Sequence, residues 1–250
     1  MLSDDALRRA LATAGLAAPV RWDEMTDSTN ATALAMAAEG TPAWTLVAAG
    51  HQTAGRGRLG RVWVDRPGKA LMCSVVLRPA WDPERLGLVS LAAGVAMARA
   101  ASDASGLDVR CKWPNDLMVA DAKVGGILAE SEVAEGRVRH VVVGAGVNLE
   151  APDDVPGAGA IGNVEGEHVL AAYLFALRGL MDDRTEGILD RWRAVSHTLG
   201  RTIQGTTVGG DPVRGVAVDL DDTGALLVDT DAGRLRVGFG QIQHLGVNQG

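Results

Sequence analysis

The sequence predicts an α+β fold: a mixed, largely antiparallel sheet flanked by helices, followed by a small β-barrel. Three observations carry this expectation. Helix-like and strand-like stretches follow one another without regular alternation as far as residue 199. Three central strand candidates are joined only by Ala120-Asp121-Ala122 and Ala134-Glu135-Gly136, connections that fit antiparallel hairpins and are too short for parallel crossovers. After Gly200, short strands alternate with turn chemistry at Gly209-Gly210-Asp211-Pro212, Asp221-Asp222-Thr223-Gly224 and Asp231-Ala232-Gly233, the pattern of a small barrel.

The elements follow in order. Ser3 is placed to cap a helix that runs to Ala14, with Leu7, Ala10, Leu11 and Ala14 on one stripe and Gly15 as its stop. A second helix is expected from Thr29 to Glu39, capped by Asp27 or Ser28 and ended by Gly40. Trp44–Ala49 and Ala70–Leu77 read as buried strands, being short, apolar and bounded by Gly or Pro. Apolar residues at helical spacing run from Glu84 to Ser102. The three central strands are Val109–Val119, broken by Pro114, then Lys123–Val133 and Val138–Leu149. Residues 151–162, rich in Pro, Gly and Asp, form a loop, and helices follow at Glu167–Met181 and Ile188–Leu199.

A chain of 250 residues, 47% hydrophobic and 22% charged, has enough apolar surface for a core without staples. Its units are expected at 1–199 and 200–250. Cys73 and Cys111 both lie in apolar runs and read as buried reduced thiols. The absence of a membrane-length apolar run and the acidic N-terminus, Met-Leu-Ser-Asp-Asp, point to a cytoplasmic protein with no membrane partner. A net charge of −7 disfavours nucleic acid as a partner, so any cationic site is local.

Such a site is conspicuous at Gly55-Arg56-Gly57-Arg58-Leu59-Gly60-Arg61. Its Gly55-x-Gly57-x-x-Gly60 spacing matches a dinucleotide-binding fingerprint, yet that motif needs a helix to start inside it, and here Val62-Trp63-Val64-Asp65 and then Pro67-Gly68 follow. Between Gly55 and Lys69, four arginines and one lysine stand against one aspartate. Guanidinium forks suit carboxylates and phosphates, and the glycines allow close backbone approach, so the stretch reads as a mobile cationic loop over an anionic ligand. An ordinary solvated loop is the alternative. Lys112-Trp113-Pro114-Asn115-Asp116 interrupts a strand with an amide beside a carboxylate, suited to a nucleotide and Mg²⁺, or simply to a turn. In Lys123-Val124-Gly125-Gly126-Ile127-Leu128, paired glycines in a strand mark close ligand approach, or a bulge behind an edge lysine. Gly144-Ala145-Gly146-Val147-Asn148-Leu149 and Asp27-Ser28-Thr29-Asn30 are each explicable alone as a strand end and a helix cap.

Taken together and in this order, these five segments resemble the biotin–protein ligase family across nearly the whole chain. The resemblance implies a catalytic domain like that of class II aminoacyl-tRNA synthetases and an SH3-like C-terminal barrel. It implies ATP and biotin as substrates, Mg²⁺ as activator, and a biotin carboxyl carrier domain as partner. Ser28, Thr29, Asn30, Gln52, Arg56, Gly57, Arg58 and Lys123 would bind biotin, with Lys123 and Arg58 catalytic. Arg56, Arg58, Arg61, Trp63, Lys112, Asn115 and Asn148 would serve the nucleotide, and Asp116 the magnesium. Leu59 departs from the pattern, standing where many relatives carry a further arginine. With about 20 residues before the first strand, no DNA-binding domain and no repressor activity are expected. Exposed sheet edges would permit a homodimer. A lipoate–protein ligase, a nucleic-acid-binding module and a Rossmann dehydrogenase are the rival expectations, in descending order.

Overall fold

The computed structural model describes residues 2–182, 185–207, 209–238 and, in their backbone, 241–244. Helix α1 (Asp4–Thr13) starts where Ser3 Oγ accepts from the Ala6 amide at 3.2 Å, and Asp4 and Asp5 complement its positive end. It buries Ala6, Leu7, Ala10 and Leu11. Strand β1 (Val20–Asp23) leads to α2 (Thr29–Ala38), capped by Ser28. Strands β2 (Leu46–Ala49) and β3 (Ala70–Leu77) flank the cationic loop. Helix α3 (Gly87–Ser105) is long and apolar enough by composition to cross a membrane, but most of it is buried inside the protein. Strands β4 (Val109–Lys112), β5 (Asp116–Val119), β6 (Ala122–Ala134) and β7 (Arg137–Asn148) follow, then α4 (Gly166–Asp182) and α5 (Thr185–Ala194).

The seven strands form one sheet in the order β1-β2-β3-β7-β6-β5-β4. Only β1 and β2 run parallel; every other pair is antiparallel. The large core lies on one face, where α1, α3, α4 and α5 bury Leu71, Cys73, Val75 and Leu77 of β3. On the opposite face α2 packs on Val47, Val76 and Val142, and its first turn lies over Ser74 and Gly144.

Two expectations are corrected. Val109–Val119 is not one interrupted strand: the chain reverses at Pro114-Asn115, and β4 and β5 pair antiparallel, Lys112 opposite Asp116. Proline has no amide to continue a ladder, so the break becomes a turn. The last helix stops at Ala194 and does not reach Leu199. Val195 and His197 are diverted into backbone hydrogen bonds with Cys111 of β4, and Ser196 Oγ accepts from the amides of Thr198 and Leu199.

The C-terminal stretch forms a second sheet: β8 (Thr202–Thr206), β9 (Pro212–Leu220), β10 (Leu226–Thr230), β11 (Gly233–Val237) and β12 (Gln241–His244), in the order β11-β10-β9-β8-β12. Residues 208, 239–240 and 245–250 of the expected barrel lie outside the described residues. The two sheets are joined at Trp113, whose amide donates to Thr198 Oγ1 at 2.9 Å and whose indole donates to the Gly224 carbonyl at 3.0 Å. Arg193 adds a 2.7 Å bond to Asp219.

Candidate active site

Side chains alternate between the two faces of a strand, and residues directly opposite one another share a face. Met72 of β3 pairs with Gly146, Ser74 with Gly144, and Val76 with Val142. Across the next ladder Gly126 pairs with Gly146 and Leu128 with Gly144. This face of the sheet is therefore floored by three glycines, and it forms a cleft between the start of α2, the cationic loop and the β4–β5 turn.

The absence of side chains at two floor positions is required. A Cβ at Gly144 would collide with the Asn30 amide, lying 2.9 Å from its Cγ, and one at Gly146 would stand 2.8 Å from the Trp63 ring. The start of α2 forms one wall. Ser28, Thr29 and Asn30 are all buried there, so residues that begin a helix also face the cleft. Gln52 Oε1 accepts from the Thr29 amide at 2.8 Å. Asn30 Nδ2 donates to the Leu128 carbonyl at 3.2 Å and to Glu130 Oε2 at 2.8 Å.

The cationic loop closes over this floor as a small hairpin. The Gly57 amide bonds to the Arg61 carbonyl at 2.7 Å, and the Trp63 amide to that of Gly55 at 2.9 Å. A 3₁₀ turn at Arg58–Gly60 replaces the helix that a dinucleotide fingerprint demands, with Leu59 at φ 56°. Arg56 pairs with Glu130 at 3.0 Å. At its far end the loop is moored by Arg66 to Asp153 and Asp154, by Lys69 to Glu150, and by buried Asp65 to His51 at 2.9 Å.

Opposite α2, the β4–β5 turn supplies a charged corner. Lys123 forms an ion pair with Asp116, and Asn115 Nδ2 donates to the Ile127 carbonyl at 2.9 Å. Burial lowers the pKa of Arg58, opposed by Asp116 and reinforced by Arg61. Burial likewise lowers that of Lys112, with Asp116 opposing and Lys123, Arg61 and Arg201 adding to the effect. Four cations around one carboxylate leave a local positive excess on a chain of net charge −7. An anionic ligand would neutralise it.

Of the residues predicted from sequence, Ser28, Thr29, Asn30, Gln52, Arg56, Gly57, Arg58, Arg61, Trp63, Asn115, Asp116 and Lys123 all line this one cleft. Lys112 sits behind its edge, opposite Asp116. Asn148 stands apart: its amide donates to the Gly159 carbonyl at 2.9 Å, beside a smaller hollow shared with Asp65, Arg66, Lys69 and Glu150. The sequence reading missed Met72, Ser74 and Glu130. Ser74 Oγ lies 2.6 Å from Asn30 Oδ1 and 2.8 Å from Thr29 Oγ1. The one signal available was a lone polar residue in an otherwise apolar strand, Ala70–Leu77.

A cleft with a polar wall at one end and a cationic loop and corner at the other suits a small acid bound together with a nucleotide. Residues 22–148 match the profile of the biotin/lipoate A/B protein ligase family, and residues 198–245 that of the biotin protein ligase C terminal domain. The chain is 33% identical to the biotin–[acetyl-CoA-carboxylase] ligase of Mycobacterium tuberculosis, over 88% of this chain and 86% of that protein. It is 36% identical to the Paracoccus denitrificans ligase of the same name, over 84% and 93%. It is also 32% identical to the bifunctional ligase/repressor BirA of Bacillus subtilis, over 93% of this chain and 76% of that protein. Among solved structures, the biotin protein ligase of Aquifex aeolicus in complex with biotin and ATP shares the fold at a TM-score of 0.76 and 23% identity, covering 91% of this chain and 99% of that one. The chain belongs to the biotin/lipoate A/B protein ligase family. Within that family it stands with the ATP-dependent biotin ligases, whose C-terminal domain it also carries.

Proposed function

We propose that this protein activates biotin with ATP and passes the biotinyl group to a lysine of a biotin carboxyl carrier domain. In the first step a carboxylate oxygen of biotin attacks the α-phosphorus, biotinyl-5′-AMP forms, and pyrophosphate leaves. In the second, the neutral lysine amine attacks the acyl carbon, AMP leaves with the bridging oxygen, and the amine proton passes to solvent.

The observation that carries this reading is the meeting of a polar head-group wall (Ser28, Thr29, Asn30, Gln52) with four cations around one cleft. Two anions must come together there. At 4 Å their repulsion is about 4 kcal/mol with an effective dielectric of 20. Lys123 and Arg58 stand where they offset it, already desolvated or paired, so little reorganisation is needed when charge develops. Arg56, Arg61, Trp63, Lys112 and Asn115 serve the nucleotide in this reading, and Asn148 does so indirectly by fixing the 159 loop.

No cluster of three or more metal-ligating side chains occurs among the described residues. That fits a magnesium ion carried in on ATP, which needs only one or two protein carboxylates, and Asp116 would be the one to hold it. The ion would supply charge neutralisation on the phosphates.

The chemistry is assigned to residues 1–199 and the small SH3-like unit to 200–250. The same reading makes the protein a cytoplasmic enzyme, with a carboxylase carrier as partner and no membrane or nucleic acid, and it permits a homodimer. Biotin-dependent exchange of pyrophosphate into ATP tests it, alongside a streptavidin blot with a carrier domain. Exchange driven by lipoate and not by biotin would assign the protein to the other branch of the family.

A further inference from the structure

We infer that Glu130 is a positioning residue for the biotin head group, acting through Asn30. Asn30 is 3% exposed, so its amide groups must find partners within the protein or the ligand. Both hydrogens of Nδ2 are committed, one to the Leu128 carbonyl and one to Glu130 Oε2. Ser74 Oγ, fully buried, lies 2.6 Å from Oδ1 and donates to it. A flipped amide would set Oδ1 against a carbonyl and a carboxylate, so Glu130 and Leu128 lock one orientation. Oδ1 keeps one lone pair and lies over Gly144 of the glycine floor, in a residue that lines the cleft. Asn30 therefore presents an acceptor and selects a ligand N–H, which a ureido ring has and a dithiolane lacks.

Glu130 has a second contact, a part-exposed ion pair that contributes little in water. Its Oε2 also accepts from Arg56 Nη2 at 3.0 Å. One carboxylate thus holds both the head-group wall on α2 and the cationic loop.

The inference rests on the biotin reading, and the experiment separates the two. Pyrophosphate exchange is measured against biotin and against ATP for the wild type, Glu130→Ala, Asn30→Ala and the double variant, with melting midpoints recorded. Glu130→Ala should raise KM for biotin about tenfold, the loss of one charge-assisted hydrogen bond. KM for ATP and kcat should change less than about threefold on the same scale. The double variant should be no worse than Asn30→Ala alone, because both changes act through one amide. A KM for biotin within twofold of wild type, an equal rise in both KM values, or multiplicative effects in the double variant would overturn the assignment. If Glu130→Ala does not fold, Glu130→Gln, of the same shape but able to donate to a flipped Asn30, carries the same test. Wild-type protein without biotin-dependent exchange would sink the functional reading instead.

Discussion

Lys123 and Arg58 are neighbours in the cleft but differ in circumstance. Lys123 forms an ion pair with Asp116, and Arg58 is held in a desolvated place where Asp116 and Arg61 act on it in opposite directions. Each is expected to act as one preorganised donor to developing negative charge. Lys123→Ala and Arg58→Ala should each reduce the rate of adenylate formation by roughly 10²–10³-fold. Single-turnover formation of biotinyl-5′-AMP measures this, and near-normal rates in either variant would remove that residue from the mechanism. The residues that sequence reading missed are those whose role depends on a partner far along the chain. Ser74 meets Asn30 across 44 positions and Glu130 meets it across 100, and no local pattern encodes either distance. Residues with a local signature, such as the arginines spaced by glycines, were legible because their chemistry shows without a partner.

At the scale of elements, hairpins and helices were largely readable. Antiparallel pairing of β6 with β7 followed from the Glu135-Gly136 turn, where both residues take positive φ. The β4–β5 reversal was not, because proline marks a break in a ladder without saying in which direction the chain leaves it. Register is where function enters these strands: it sets Gly126, Gly144 and Gly146 on one face. Gly144→Ala should displace the Asn30 side chain, raise KM for biotin and cost about 1–3 kcal/mol in urea unfolding. Unchanged affinity would mean that Asn30 does not reach the ligand. The Gly57–Trp63 tip of the cationic loop is held by the exposed Arg56–Glu130 pair, and its far end by Asp65 with His51 and by exposed pairs at Glu150, Asp153 and Asp154. Such pairs contribute little in water, about 0–1 kcal/mol each. Amides from Gly57 to Trp63 should therefore exchange readily in free protein and slow when biotin and ATP are added. Equal protection in both states would discard ligand-induced closure.

The whole molecule carries a pH dependence that the cleft does not set. Burial lowers the pKa of His140, with Arg78 adding and Glu132 opposing; burial also lowers that of His197, with Arg201 adding and Asp121 opposing. Above pH ~6.5 both are neutral, folded or unfolded, and contribute nothing to the pH slope. As pH falls through that value the unfolded chain takes up protons that the folded chain refuses, so stability declines until the lower folded pKa is reached. The slope is at most about 1.4 kcal/mol per pH unit for each histidine. Urea midpoints between pH 7.5 and 5 should show this loss, and His140→Gln should reduce it. A profile identical to wild type would show that His140 is not held neutral by the fold. The chain also has six tryptophans and a single tyrosine, so its near-ultraviolet emission is almost wholly indole. Of the six, Trp63 and Trp113 line the cleft, and Trp63 lies directly on the glycine floor. Any occupant of that floor must share space with an indole, and the protein thereby has its own built-in optical gauge of occupancy. Emission should shift on ligand addition, and Trp63→Phe should silence most of that shift while leaving the remaining tryptophans as an internal reference.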